Sequence, residues 1–244
     1  VPSVGYKAIE LKKSDDSFNV AASDANLEND LLKVELNQDG FITSIWDKEH
    51  EREIVSKNKC ANQFAVYHDE GDAWDMPLDY AESKPQLMKL QSRDFSVDGP
   101  QAILTQKFML GFSTLKQKII LTQGSRRIDF ETTGTWRETK SMLRTSFPVN
   151  IHSDFATYEI QFGHLSRPTH DNTNWDLAKQ ENPTQKWADL SEANYGVAVL
   201  NDSKYAYKIK QNVIDLDLLR SAPYPGPVLV KDEDVQSGES HGGY

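Results

Sequence analysis

Cysteine is almost missing: among 244 residues there is one, Cys60. A lone thiol excludes an internal disulfide and suits a reducing compartment, which predicts a cytoplasmic location. No apolar run approaches the roughly 18–20 residues needed to span a bilayer, so no membrane partner is expected. The opening Val1-Pro2-Ser3 lacks the basic-then-apolar pattern of a signal peptide. Beginning at Val rather than Met, the sequence reads as a processed or excised piece. Positive charge is also scarce, with 27 Lys and Arg against 37 Asp and Glu and a formal net charge of -10. So acidic a surface argues against wrapping nucleic acid. The six histidines fall in no HExxH, HxH or CxxC pattern, and there is no GxSxG elbow or P-loop. No amphipathic helix longer than about three turns can be found.

What is present has a period of two. Leu32, Val34 and Leu36 alternate with Lys33, Glu35 and Asn37. The same alternation marks Leu115–Thr122, Ile128–Thr133, Tyr158–Phe162 and Ile214–Leu218, each a strand with one apolar and one wet face. Asp39-Gly40 predicts a hairpin, and Asp98-Gly99-Pro100 and Gln123-Gly124-Ser125 mark further reversals. With 38% hydrophobic residues the chain can bury a core. Many short strands without intervening helices predict an all-β fold with two large antiparallel sheets packed face to face and less than about a tenth helix.

Two stretches break the rhythm, Tyr67–Lys84 and Gly163–Glu192. Long irregular loops on a β scaffold tend to carry function. Residues 1–25 read as a short leading β element or linker, 26–222 as the β domain, and 223–244 as an extended tail. Both loops mix acids, amides and Trp. Sugars offer many hydroxyls and an apolar face, so acids and amides beside an aromatic platform suit them. Asp72, Trp74, Asp75, His170, Asn172, Trp175 and Asp176 are the candidate substrate-binding residues. Packing at the rim of the sheets is the competing role for Trp74, and the favoured one for Trp175 and Trp187. Glycoside cleavage needs two carboxyl groups about 5–10 Å apart. Asp72 with Asp75, or Asp176 with Glu181, are candidate pairs, and no catalytic residue is assigned.

Those loops carry a resemblance. The run Arg167-Pro168-Thr169-His170-Asp171-Asn172-Thr173-Asn174-Trp175-Asp176, then Glu181 and Lys186-Trp187-Ala188-Asp189-Leu190-Ser191-Glu192, resembles glycoside hydrolase family 38, the α-mannosidases, in its cytosolic and bacterial branch. Leu200–Tyr205, Leu218–Ser221, Asp72–Asp75 and Val1–Tyr6 fit as well. The similarity covers nearly the whole chain. It departs at Gly71, Gln180 and Ala206, and the family's closing His-x-Phe-x-Tyr strand has no clear counterpart. The resemblance implies the C-terminal β region, of the mutarotase-like supersandwich type. It implies a parent enzyme hydrolysing α-mannosides with retention, whose zinc ligands and aspartate nucleophile lie in an N-terminal α/β domain outside this chain. The chain itself is then expected to hold no zinc, to be inactive alone, and to have as partners that domain and the mannoside. It is also expected to show an apolar patch near Val1–Tyr6 and Trp74, where its neighbour packs. A free-standing carbohydrate-binding module or a sugar epimerase on the same scaffold are the alternatives.

Overall fold

The computed structural model describes residues 5–6, 8, 17–71, 74, 76–77, 79–179, 181–224, 236–237 and 241–243. Asp72, Asp75, Val1–Val4 and most of the 223–244 tail lie outside them. The fold is all-β and every strand pair is antiparallel, as the period-two pattern predicts. Helix is confined, among the described residues, to a 3-10 turn at Tyr80–Glu82 and to α1 (Asn174–Ala178).

Sheet one runs in chain order: β1 (Ala21–Ala22), β2 (Asn26–Glu28), β3 (Leu32–Leu36), β4 (Ile42–Asp47) and β5 (Arg52–Glu53). Sheet two is ordered β15 (Asn182–Pro183), β18 (Ala206–Lys210), β19 (Val213–Arg220), β12 (Ser141–Pro148), β6 (Gln63–His68) and β7 (Gln86–Leu87). Sheet three is a meander of β8 (Lys89–Asp98), β9 (Gln101–Leu110), β10 (Ser113–Thr122) and β11 (Ile128–Thr135), with β22 (His241–Gly243) on the far side of β11. Sheet four is ordered β14 (Gly163–Pro168), β13 (Phe155–Ile160), β16 (Trp187–Glu192) and β17 (Tyr195–Leu200). A two-stranded ribbon, β20 (Pro223–Tyr224) with β21 (Gln236–Ser237), completes the set.

There are thus four main sheets where the sequence predicts two, because the ladders break at corners. Isolated bridges Ile42↔Ala61 and Val55↔Val149 stitch sheet one to the chain flanking β6 and β12 of sheet two. The core follows this stitching. Leu27, Val34 and Ile42 of sheet one meet Leu104, Ile119 and Leu121 of sheet three. Phe64, Val66 and Leu143 of sheet two meet Phe108 and Leu115, also of sheet three. Tyr207, Ile209 and Ile214 of sheet two meet Ala156, Tyr158 and Leu190 of sheet four. Sheet four also reaches sheet one, through the Tyr195 hydroxyl on Asp47 at 2.9 Å and the Arg52–Glu192 ion pair, so each main sheet meets its neighbours around a shared interior.

The Asp39-Gly40 reversal joins β3 to β4, held by the Asn37 side chain, which accepts hydrogen bonds from the Asp39 and Phe41 amides at 3.0 and 2.9 Å. Gly40 has φ +87, and a Cβ there would sit 2.5 Å from Gln106 Oε1 and 2.9 Å from the Phe108 ring. Gly40→Ala is expected to destabilise the chain by about 1–3 kcal/mol through backbone strain and this collision. Urea unfolding of the two proteins measures it. Phe162 departs from its expected strand position: it caps the β13–β14 turn at φ 63 and is wholly exposed. Asp215 and Asp217 depart more consequentially, for the face of β19 they occupy is not simply wet.

Candidate functional site

Sheet two has one face in the core and one that collects charge. In β12 the side chains of Leu143, Thr145 and Phe147 point to the core, so Arg144 points the other way. Its register partners on β19 and β6 are Asp217 and Ala65. The guanidinium is 1% exposed. A buried cation needs hydrogen-bond acceptors, and two carboxylates supply them. Nη1 and Nη2 donate to the two Glu181 carboxylate oxygens at 2.7 and 3.2 Å, and Nε donates to Asp215 Oδ1 at 3.1 Å. The Arg144 fork also lies over the Tyr80 ring, 5.5 Å from its centroid, with Lys208 Nζ at 5.1 Å. The Tyr80 hydroxyl donates to Glu181 Oε1 at 2.6 Å, and the Tyr67 ring meets Tyr80 edge-on at 5.5 Å.

Charge is unevenly balanced here. Crowding by protein pushes the Asp215 carboxyl up, against the pull of Arg144. Burial likewise pushes Asp217 up to about 6, with Glu181 and Asp215 adding repulsion and Arg144 opposing it. Desolvation lowers Lys208, and it raises the Tyr80 and Tyr67 hydroxyls, so both phenols stay neutral. Asp217 is spoken for only in part. One of its oxygens accepts the Leu219 amide at 3.1 Å. It opens into a cleft of about 490 Å3 shared with Glu181, Lys204, Tyr205 and Arg220.

The Tyr67–Lys84 stretch is fastened over this face at both ends. Asp69, fully buried, receives the Arg220 guanidinium in a two-point ion pair and accepts the Gly71 amide at 3.0 Å. Tyr80 closes the other end through Glu181. The second stretch is not the irregular loop its composition suggests: Gly163–Glu192 holds β14, α1, β15 and β16, because its alternating residues pair into sheet four and the edge of sheet two. The two stretches singled out in the sequence meet at the Tyr80–Glu181 hydrogen bond. Trp74 lies between the two fastenings with 65% of its surface exposed, too open to be a rim plug.

The remaining candidates form a second group. Asp171 pairs with Lys210, the next residue after Lys208 on the same face of β18. Asn172 is exposed. Trp175, on α1, is 80% exposed, so the expected packing role does not hold; the short helix lies on the surface with no buried residue. Asp176 is engaged locally: its amide donates to Thr173 Oγ1 at 3.1 Å and the Thr173 hydroxyl returns a bond to its carboxylate at 2.7 Å. That hydroxyl holds the carboxyl below its ordinary value. Asp176 is held by Thr173, the N-cap of its helix, and Glu181 binds Arg144, so the pairing of Asp176 with Glu181 read from the sequence is replaced by two separate roles. His170 is half-buried in a separate cleft of about 520 Å3 beside Asp154 and Gln211, and its Nδ1 has no hydrogen-bond partner. Trp187 is half-buried in β16, in keeping with packing.

Sequence reading missed Arg144, Tyr80, Asp215 and Asp217. The signals were a single Arg inside an apolar strand and two acids spaced two apart on another.

Comparison with known proteins decides the family. Residues 27–228 match the family model described as the glycosyl hydrolases family 38 C-terminal domain. The chain belongs to glycoside hydrolase family 38. It is 35% identical over 242 residues to alpha-mannosidase 2C1 of Mus musculus, covering 92% of this chain and 23% of that protein. It is 35% identical over 231 residues to alpha-mannosidase G of Dictyostelium discoideum, covering 91% and 21%. The chain therefore spans under a quarter of the length of these relatives. Among solved structures, the fold matches an alpha-mannosidase from Enterococcus faecalis V583 with a TM-score of 0.75 at 16% identity, over 88% of this chain and 28% of that one. Among the described residues no three His, Cys, Asp or Glu side chains converge as a metal site would require. No described helix is long and apolar enough to cross a membrane.

Proposed function

We propose that this chain is the C-terminal β part of a retaining, zinc-dependent α-mannosidase and that the charged face of sheet two helps hold the sugar. The observation that carries this reading is the convergence of the Tyr67–Lys84 and Gly163–Glu192 stretches on Arg144, Glu181 and Asp217. They meet beside an open cleft, and an exposed Trp74 lies on the first of them. The face supplies hydrogen-bond acceptors and an aromatic surface. In this reading the zinc and the nucleophilic aspartate come from the enzyme's other domain, and Asp72 and Asp75 flank Trp74 as further acceptors. His170, Asn172, Trp175 and Asp176 serve as a second, outer contact. The all-antiparallel sheets packed on shared apolar clusters support a supersandwich of the mutarotase-like type. In this reading residues 26–222 are the β unit, 1–25 its leader and 223–244 its tail. The free thiol of Cys60 supports a cytoplasmic location.

The test uses the full-length enzyme and an aryl α-mannoside. Trp74→Ala is expected to lower kcat/KM about tenfold, equivalent to roughly 1.4 kcal/mol of transition-state binding, with Tm unchanged because the indole is mostly in solvent. Wild-type activity in Trp74→Ala, Asp72→Asn and Asp75→Asn alike would remove this loop from the sugar site.

A further inference from the structure

The cleft that holds His170 is built from three separate stretches. They are residues 151–154 before β13, Thr169 and His170 after β14, and the two-residue turn Gln211–Asn212 between β18 and β19. One buried residue pins them together. The Thr169 amide donates to the Asp154 carbonyl at 2.9 Å and its hydroxyl to the Ser153 carbonyl at 2.8 Å. Its own carbonyl accepts the Gln211 amide at 2.7 Å. The Asn212 side-chain nitrogen adds bonds to the Val149 carbonyl and the Ser56 hydroxyl at 2.9 and 2.8 Å. The walls are therefore held in place without a ligand, and the enclosed volume of about 520 Å3 falls within the roughly 300–1,000 Å3 of small-molecule sites.

Polar groups are left over in this cleft. His170 Nδ1 is buried without a partner, a state that only Arg167 Nε shares among the described residues. Buried polar atoms are nearly always hydrogen-bonded, so an exception points to a partner that arrives from outside. The side chains of His152, Asp154 and Gln211 also line the cleft, and among the described residues none of them makes a hydrogen bond or ion pair. Gln211 has φ 52. The first position of a two-residue hairpin turn with positive φ favours glycine, and a side chain there is strained. The turn carries that strain and keeps an unengaged amide at the cleft.

The lining selects the class of ligand. No Lys or Arg lines the cleft and an aspartate does, which disfavours an anion. No three ligating side chains converge, which disfavours a metal ion. Ile151, the one aliphatic lining residue, is 1% exposed, so an apolar molecule gains little there. A neutral molecule with several hydroxyls fits, because each hydroxyl both donates and accepts and so matches a carboxylate, an amide and two imidazoles at once. We propose that this cleft is a second carbohydrate site, which takes one pyranose unit through Asp154, His170 and Gln211. Mannose is the unit expected, because the relatives are alpha-mannosidases. The site deepens the outer contact assigned to His170; it rests on the sugar-processing reading of the whole protein and not on the role of Trp74.

The test uses the full-length protein and a methyl α-mannoside carrying a photo-reactive diazirine. Illumination and peptide mapping are expected to place label on residues 151–154 or 209–212, and excess plain methyl α-mannoside is expected to compete it away. Asp154→Ala should raise the probe concentration for half-maximal labelling there about tenfold or more, and Gln211→Ala about two- to tenfold, as the loss of a charged and of a neutral hydrogen bond predicts. Both side chains are exposed, so Tm should not move and lost labelling is not lost folding. Hydrolysis of an aryl α-mannoside is followed on the same wild-type sample. Active enzyme without label in the cleft, or label there that both substitutions leave undiminished, overturns the proposal while the sugar-processing reading stands. An inactive wild-type protein overturns that reading, and this proposal with it.

Discussion

Arg144→Met is expected to destabilise the chain by about 3–5 kcal/mol, the usual cost of removing one partner from a buried ionic cluster. The methionine fills much of the same volume, so the loss is electrostatic. The guanidinium holds Glu181 through two bonds and Asp215 through a third, while Asp217 is its direct register partner. Without it three carboxylates share one sheet face with Lys208, itself weakened as a cation by burial. Tyr80 loses the charge over its ring and keeps its bond to Glu181, so the loop bearing Trp74 should loosen as well. The deficit should shrink on acidification, because protonated carboxyl groups no longer repel. The variant's native state then binds more protons than its unfolded state between about pH 4 and 6, and stability rises as pH falls through that window. Urea unfolding at pH 7 and pH 5 measures both effects. A variant as stable as wild type at pH 7 would show that the cluster contributes nothing net.

The strand pattern was open to reading from sequence because it depends on neighbours two apart, and tertiary context preserved it. Leu32, Val34 and Leu36 are buried with Lys33 and Glu35 between them, as the alternation predicts. The division into four sheets was not legible, since it depends on where ladders break at Ala61 and Val149. The site was legible only where sequence itself is local. The two stretches stood out by composition. Arg144, by contrast, finds Glu181 37 residues away and Asp215 71 residues away, while Tyr80 reaches Glu181 across 101. Nothing in the alternation of Ile214, Leu216 and Leu218 tells whether the intervening Asp215 and Asp217 meet water or an arginine. Only the apolar setting of Arg144 within Ser141–Pro148 hinted that its charge needed partners.

Asp217→Asn should separate stability from activity in opposite directions. The carboxyl of Asp217 is pushed up to about 6, so in its charged form it weakens the fold at neutral pH. The sign is fixed by proton counting: between roughly pH 4 and 6 the native state holds the proton that the unfolded state has released. The wild type therefore gains stability as pH falls through that range and carries the full penalty above it. Two pH units correspond to at most about 3 kcal/mol, and partial access to solvent reduces this. The uncharged amide should make the chain about 1–2 kcal/mol more stable at pH 7 and leave it unchanged at pH 4, where the wild-type group is already neutral. The side-chain oxygen of Asn can still accept the Leu219 amide, so the local turn survives. In the full-length enzyme the same change removes a charged acceptor from the cleft that also holds Glu181. A charge-assisted hydrogen bond to a sugar hydroxyl is worth about 1.5–3 kcal/mol, so kcat/KM on an aryl α-mannoside should fall about ten- to a hundredfold. Carboxylates that cost stability and persist beside an open cleft are the expected signature of a site kept for binding. Higher Tm with lower kcat/KM supports that role for Asp217, whereas higher Tm with unchanged kcat/KM would place the sugar elsewhere on the molecule.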